Sequence, residues 1–151
     1  MPLSVLILAA GKGTRMRSSR SKILHEVAGV PMIARVISTT LAAGISRIVV
    51  VVGHQSDAVQ KCVKERFPEA DIRWAIQAEQ KGTAHAVMCA EEALSDFDGQ
   101  VWILSGDVPT LSSDLLSMIN QNHAQEYLVV TGMRLTNPKA YGRLLKDAQG
   151  S

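Results

Sequence analysis

Short apolar runs rich in β-branched residues alternate along the chain with segments whose apolar positions recur at helical spacing. Val5–Leu8, Ile48–Val52, Ile72–Ile76, Val101–Leu104 and Tyr127–Thr131 read as strands. The first, second and fourth are nearly continuous in apolar character, the pattern expected where both faces of a sheet are covered. Between them, Pro31 suits the first position of a helix, and Ile33, Val36, Ile37 and Leu41 follow at helical spacing until Gly44 stops the run. Val59, Cys62 and Val63 lead into Phe67, with Pro68 as terminator. Val87, Ala90 and Leu94 mark a third helix after Gly82-Thr83, and Ser112 caps a fourth with Leu115, Leu116 and Ile119 facing inward. This alternation predicts an α/β fold: a doubly wound, mostly parallel, Rossmann-like sheet with helices on both faces.

Composition narrows the classes. A chain of 151 residues, 46% hydrophobic, suits one compact domain and excludes intrinsic disorder. With 16 Lys and Arg against 14 Asp and Glu, the net charge of +2 argues against a surface built throughout for nucleic acid. The longest apolar stretches, Leu3–Ala10 and Ile48–Val52, fall short of the roughly 18 residues a membrane span needs. No basic residue precedes the first, as a secretory leader requires. The chain therefore reads as cytoplasmic, with neither membrane nor nucleic acid as partner. Cys62 and Cys89 lack metal-ligand spacing and read as small core residues in a reducing compartment.

Ligands of open α/β sheets bind beyond the carboxyl ends of the strands, so the chemistry is sought just after each one. Strand one runs into Leu8-Ala9-Ala10-Gly11-Lys12-Gly13-Thr14-Arg15-Met16, small residues that let backbone N–H groups approach a phosphate. The stretch is neither a dinucleotide fingerprint, since Met16 stands where a third glycine belongs, nor a P-loop. Lys12, Arg15, Arg17, Arg20 and Lys22 fall within eleven residues, before the first acidic residue at Glu26. So many like charges call for an anion, and a polyphosphate at the end of strand one satisfies both glycines and cations. Strand three is followed by Gln77-Ala78-Glu79-Gln80-Lys81-Gly82-Thr83-Ala84. A glutamine amide can donate and accept, and so can read a base edge. Strand four is followed by Ser105-Gly106-Asp107-Val108-Pro109, where a carboxylate at a strand tip suits Mg²⁺ held against phosphates. Each of these loops, taken alone, also fits an ordinary turn. Histidines 25, 54, 85 and 123 show no metal spacing, and His85 reads as a packing or capping residue.

The run Leu-Ala-Ala-Gly-x-Gly-Thr-Arg-Met followed by Lys-x-Leu resembles the nucleotidyltransferase family that makes sugar nucleotides. Gln-Ala-Glu-Gln-x-Gly-Thr-x-His-Ala and Gly-Asp-Val-Pro look like one branch of it: the uridylyltransferase domain of bifunctional N-acetylglucosamine-1-phosphate uridylyltransferase/glucosamine-1-phosphate acetyltransferases. The resemblance runs from Val5 to Arg143 and keeps the three motifs in order. It implies Mg²⁺-dependent transfer of UMP from UTP to N-acetylglucosamine-1-phosphate, giving UDP-N-acetylglucosamine and pyrophosphate for cell-wall precursors. It further implies that Leu8, Ala9, Ala10 and Gly11 cradle the nucleotide and that Arg15 and Lys22 neutralise its phosphates. Gln77, Gly82 and Thr83 would recognise uracil, Ser105, Gly106 and Asp107 would line the site with Asp107 on Mg²⁺, and Gly142 would approach the sugar.

Ser21 stands where the family often has proline, and Ser105 replaces an aromatic found in some members. The family's further sugar ligands, its second metal ligand and its acetyltransferase domain correspond to nothing in residues 1–151. The tail after Tyr141-Gly142-Arg143, ending Asp147-Ala148-Gln149-Gly150-Ser151, reads as a cut through a domain. The expectation is the nucleotide-binding part of that domain, weakly active or inactive alone. Exposed edges near Tyr127–Leu135 and Tyr141–Leu145 would invite self-association. Two other readings stay open: a cytidylyltransferase of the isoprenoid-precursor type, which shares the first glycine loop, and a non-catalytic nucleotide-sensing module.

Overall fold

In a computed structural model, residues 2–13, 16–53, 55–123, 128–139 and 141–145 are described. Strand β1 (Leu3–Ala9) leads through a long loop and a 3-10 turn (Lys22–Leu24) to a small hairpin, β2 (Glu26–Val27) and β3 (Val30–Pro31). Then follow α1 (Met32–Ala42), β4 (Arg47–Val52), α2 (Ser56–Arg66), β5 (Ile72–Ile76), α3 (Thr83–Met88), α4 (Glu91–Leu94), β6 (Gln100–Ser105) and α5 (Ser113–His123). The main sheet has the order β5-β4-β1-β6, and every pairing in it is parallel. Thus β1 lies in the interior, and the loops after β1, β5 and β6 emerge at the same end.

Strands β1 and β4 are apolar on both sides because both sheet faces are covered. On one face Val5, Ile7, Ile48 and Val50 pack against Ile33, Val36 and Ile37 of α1 and Val59 and Val63 of α2. On the other, Leu6, Val49 and Val51 meet Ala86 of α3 and Ala90 beside α4. Fully burying a Val, Leu or Ile side chain stabilises by about 1.5–3 kcal/mol, so this double row carries much of the fold. The helix starts follow from local chemistry. Pro31 precedes α1, one position earlier than the sequence pattern suggested, and the Ser112 hydroxyl accepts the Leu115 N–H at 3.2 Å to cap α5.

Four expectations are corrected. The third helix is two short ones: the Ala90 N–H turns to the Val87 carbonyl three residues back, at 3.0 Å, and this tight turn separates α3 from α4. Tyr127 lies outside the described residues, but residues 128–131 form no strand; Leu128 and Val130 are exposed and pair with nothing in the sheet. Residues 141–145 are likewise exposed and irregular. β-Branched residues alone do not make a strand when no neighbouring strand receives their backbone groups. β6, read as covered on both faces, alternates instead, because it lies at the edge of the sheet. Trp102 and Leu104 pack into the first core, whereas Val101 and Ile103 are exposed on the opposite face. No helix among the described residues is long and apolar enough to cross a membrane.

Candidate functional site

At the carboxyl ends of the strands lies a cleft of about 470 Å³, lined from three loops. The end of β1 and the loop after it contribute Leu8, Ala9, Ala10, Gly11, Gly13 and Met16, with Lys22 and Ile23 from the following turn. The segment after β5 contributes Gln77, Gln80, Gly82, Thr83 and Ala86, and the tip of β6 contributes Ser105 and Asp107. Separate strands of one parallel sheet thus deliver residues far apart in sequence to one opening.

The β1 loop is shaped by what it must avoid. Gly13 adopts φ +60°, and a Cβ there would stand 2.7 Å from the Lys22 Cβ. Its bare backbone lets the loop fold down over Lys22 and holds that side chain in the cleft. The Lys22 ammonium is paired with the Asp107 carboxylate across the opening. Both side chains are about one-third exposed, at 36% and 33%, so solvent and ligands reach the pair. Its other carboxylate oxygen has no partner among the described residues.

Gln77 continues the β5 ladder, its N–H donating to the Val52 carbonyl at 2.8 Å, and the residue is only 4% exposed. Its Nε2 donates to the Gly82 carbonyl at 3.0 Å and lies 3.1 Å from Nδ1 of His85. Gly82, at φ +97° and ψ −177°, holds a backbone conformation reserved for glycine and starts α3. Gln80 donates from Nε2 to the Ala10 carbonyl, tying the β5 loop to the β1 loop.

The expected residues fare differently. Leu8, Ala9, Ala10, Gly11, Lys22, Gln77, Gly82, Thr83, Ser105 and Asp107 all line the cleft. Gly106 stands behind it, its N–H donating to the Leu8 carbonyl at 2.9 Å, and brings the β6 tip close to β1. Gly142 lies in the exposed segment 141–145 and is not among the lining residues. Arg15 lies outside the described residues. The basic run is not one site: Arg20 turns to Glu26 at 3.8 Å, Lys12 borders a neighbouring hollow, and Lys22 faces the cleft. Gly13, Met16, Ile23, Gln80 and Ala86 were missed as lining residues. Gly13, Met16 and Gln80 lie inside the two stretches already singled out, Gly13 as a second glycine and Gln80 as a second amide, whereas Ile23 and Ala86 carried no signal.

The resemblance implies a divalent cation. Asp107 is one carboxylate, and no three His, Cys, Asp or Glu side chains gather to hold a metal among the described residues. This donor set fits Mg²⁺ in the manner in which phosphates and water supply most of its six ligands and the protein one or two.

The family model described as MobA-like NTP transferase domain matches residues 5–147. Curated relatives named Bifunctional protein GlmU are 45% identical over 151 residues in Anaeromyxobacter sp. (strain K) and 47% identical in Pelobacter propionicus. They cover 99% and 98% of this chain, while the chain spans only 31% and 32% of their own length. Two solved structures share the fold. A nucleotidyl transferase from Methanothermobacter thermautotroptrophicus is 24% identical with a TM-score of 0.62, over 80% of this chain and 57% of its own. A UDP-glucose pyrophosphorylase complexed with UDP-glucose is 17% identical with a TM-score of 0.65, over 82% and 55%.

Proposed function

This chain belongs to the MobA-like NTP transferase domain family, and from that premise we propose that it binds UTP as the nucleotide-binding part of an N-acetylglucosamine-1-phosphate uridylyltransferase. One observation carries the reading. A single cleft presents small residues and a glycine loop from β1, a buried amide after β5, and a lysine opposite a carboxylate at the tip of β6. These are the parts needed for a base, a ribose and a charged phosphate chain. The likeness to relatives named GlmU supports the choice of sugar nucleotide over the cytidylyltransferase alternative.

In this reading an oxygen of the sugar-1-phosphate attacks the α-phosphorus of UTP. A new phosphorus–oxygen bond forms, the bond from the α-phosphorus to the bridging oxygen breaks, and pyrophosphate leaves with the electron pair. No enzyme nucleophile is required, so the chain's task is to position the reactants and neutralise charge. Leu8, Ala9, Ala10 and Gly11 cradle the nucleotide, their small or flat surfaces letting it approach the end of β1. Gln77 and the backbone of Gly82 and Thr83 face the base, with Ser105 and Gly106 shaping the floor. Lys22, with Arg15, offsets the phosphate charge. Asp107 would hold Mg²⁺, which when bound supplies electrostatic neutralisation of the phosphate oxygens. UTP is a cytoplasmic metabolite, and the reading places the chain there.

A nucleotide must displace the Lys22–Asp107 pair. The ammonium moves from carboxylate to phosphate, and the freed carboxylate becomes available to the cation that accompanies the triphosphate. Titration calorimetry with UTP, CTP and ATP in the presence of Mg²⁺ tests the assignment. UTP is expected to bind best, and equal affinities for the three would overturn it.

A further inference from the structure

The proposed recognition of uracil by Gln77 leaves a question of chemistry: an amide has an oxygen that accepts and a nitrogen that donates, and either could face the base. Its neighbours answer it. The Gly82 carbonyl can only accept, and it takes both the Ala86 N–H at 3.2 Å and Gln77 Nε2 at 3.0 Å. The amide nitrogen of Gln77 is therefore the end turned to Gly82. Its second hydrogen meets His85 Nδ1 at 3.1 Å. Since Nε2 has nothing but hydrogens to offer, Nδ1 must accept, and the ring carries its proton on Nε2. Both donors are then used, the backbone N–H is spent on Val52, and the side chain has only its carbonyl oxygen left for the cleft it lines.

We propose that His85 is a positioning residue that sets the base preference of the cleft, by anchoring the second amide hydrogen of Gln77 so that only a carbonyl oxygen is shown to the base. One hydrogen bond to Gly82 would let the amide swing about it; two partners on one nitrogen fix its plane. A fixed acceptor suits an imide base, uracil or thymine, which carries a hydrogen on ring N3. Cytosine has a lone pair at that nitrogen, and two acceptors would face each other. Cys89, one helical turn on, places its sulfur 3.9 Å from both ring nitrogens, and sulfur is too weak a hydrogen-bonding group to compete for Nδ1. The inference rests on the uridylyl reading and adds to it the reason for its direction.

The test titrates UTP and CTP separately into the full chain and into His85→Phe, His85→Gln and Gln77→Ala variants. His85→Phe keeps a ring but no acceptor, and its UTP-over-CTP affinity ratio is expected to fall about three- to tenfold, the scale of one net hydrogen bond. His85→Gln offers a carboxamide oxygen in place of Nδ1 and is expected to recover part of that ratio. A folded His85→Phe variant with an unchanged ratio would overturn the proposal, and so would a ratio in His85→Gln as low as in His85→Phe. If His85→Phe does not fold, ¹⁵N spectroscopy of the unaltered chain decides: an unprotonated Nδ1 is expected, and a proton on Nδ1 sinks the idea. Gln77→Ala separates the two levels. If it leaves the ratio unchanged, the uridylyl reading itself fails; if it collapses the ratio while His85→Phe does not, the failure belongs to His85 alone.

Discussion

The two ends of the central sheet both carry charged side chains, and they use them in opposite ways. At the amino ends of the strands, Arg47 opens β4 and Arg73 stands in β5, and both reach Asp96 just beyond α4. Each guanidinium also donates to the Ala93 carbonyl at 3.4 Å, and Arg47 stacks over the Phe97 ring at 4.9 Å. Asp71 lies 4.0 Å from Arg73 as well. One carboxylate shared by two guanidiniums, a carbonyl and a ring makes a closed cluster. At the carboxyl ends a single ammonium meets a single carboxylate, Lys22 with Asp107, above an open cleft. Charges with several partners fix α4 to the sheet. A charge with one partner at the mouth of a cleft gives up a single contact when it exchanges it for a phosphate or a cation, whereas each guanidinium of the other cluster has several to lose.

The carboxyl end of the sheet depends most on Lys22. Lys22→Ala is expected to weaken UTP binding by about ten- to a hundredfold, the scale of a hydrogen bond to a charged group. Uridine binding should change little, because an ammonium reads phosphate and not base, and thermal unfolding should hardly move. Calorimetry with uridine, UMP and UTP checks this; a uniform loss over all three would mean that the loop after β1 had collapsed.

Asp107→Ala acts in the opposite direction when no divalent cation is present. Freed from its carboxylate, Lys22 is available at once, so UTP measured without divalent cation is expected to bind several-fold more tightly than to the unaltered chain. The gain from added Mg²⁺ should vanish. Asp107 sits at a strand tip, so no cavity opens and the melting temperature should hold. Binding titrations with and without Mg²⁺ decide the matter: a variant that keeps its full magnesium response makes Asp107 a turn residue.

Much of this was legible in the chain itself, for stated physical reasons. β1 and β4 are apolar at consecutive positions because helices cover both faces, and that leaves a readable pattern. The loops after β1, β5 and β6 could be singled out because a parallel sheet delivers all of them to one end. What could not be read depended on contacts between distant segments. The separation of Lys22 from Arg20 and Lys12 follows from Gly13 folding over Lys22 and from Glu26 taking Arg20, neither of which alters a run of basic letters. The hairpin at Glu26–Pro31 was missed because its strands are two residues each, too short for any periodicity. Its turn, with Ala28 and Gly29 both at positive φ, was a weak signal only. His85 looked like a packing residue because its partner, Gln77, lies on another element.

At the closed end the expectations reverse. Arg47→Met should lower the melting temperature by several degrees while leaving UTP affinity within about twofold. The Arg47 side chain is only 18% exposed and lies between Asp96, the Ala93 carbonyl and Phe97. Its loss releases α4 from the sheet far from any ligand. Thermal melts with parallel UTP titrations check both halves. A large fall in affinity would show that the two ends of the sheet are coupled, and the contrast between them would fail.

The smallest effect is the most specific. Hydrogen bonds from Arg47, then from Arg73, hold the Asp96 carboxyl down at about 2, below the ordinary carboxylate range. In the unfolded chain the same group titrates near ~3.9. A carboxylate whose folded value is depressed contributes stability that is fully present above the unfolded value and is lost as pH falls through the folded one. The cluster's contribution is therefore whole at neutral pH and disappears as the pH falls from about 4 to about 2. Asp96→Asn removes the charge at every pH, so its unfolding midpoint in urea should lie slightly below that of the unaltered chain at pH 6, and the gap should close as pH 2 is approached. Added salt should narrow it too, since the Asp96 side chain is 56% exposed and its attractions are screened. A gap that persists unchanged at pH 2 and in high salt would assign the role of Asp96 to packing at the end of α4, and the closed end would owe its strength to shape rather than charge.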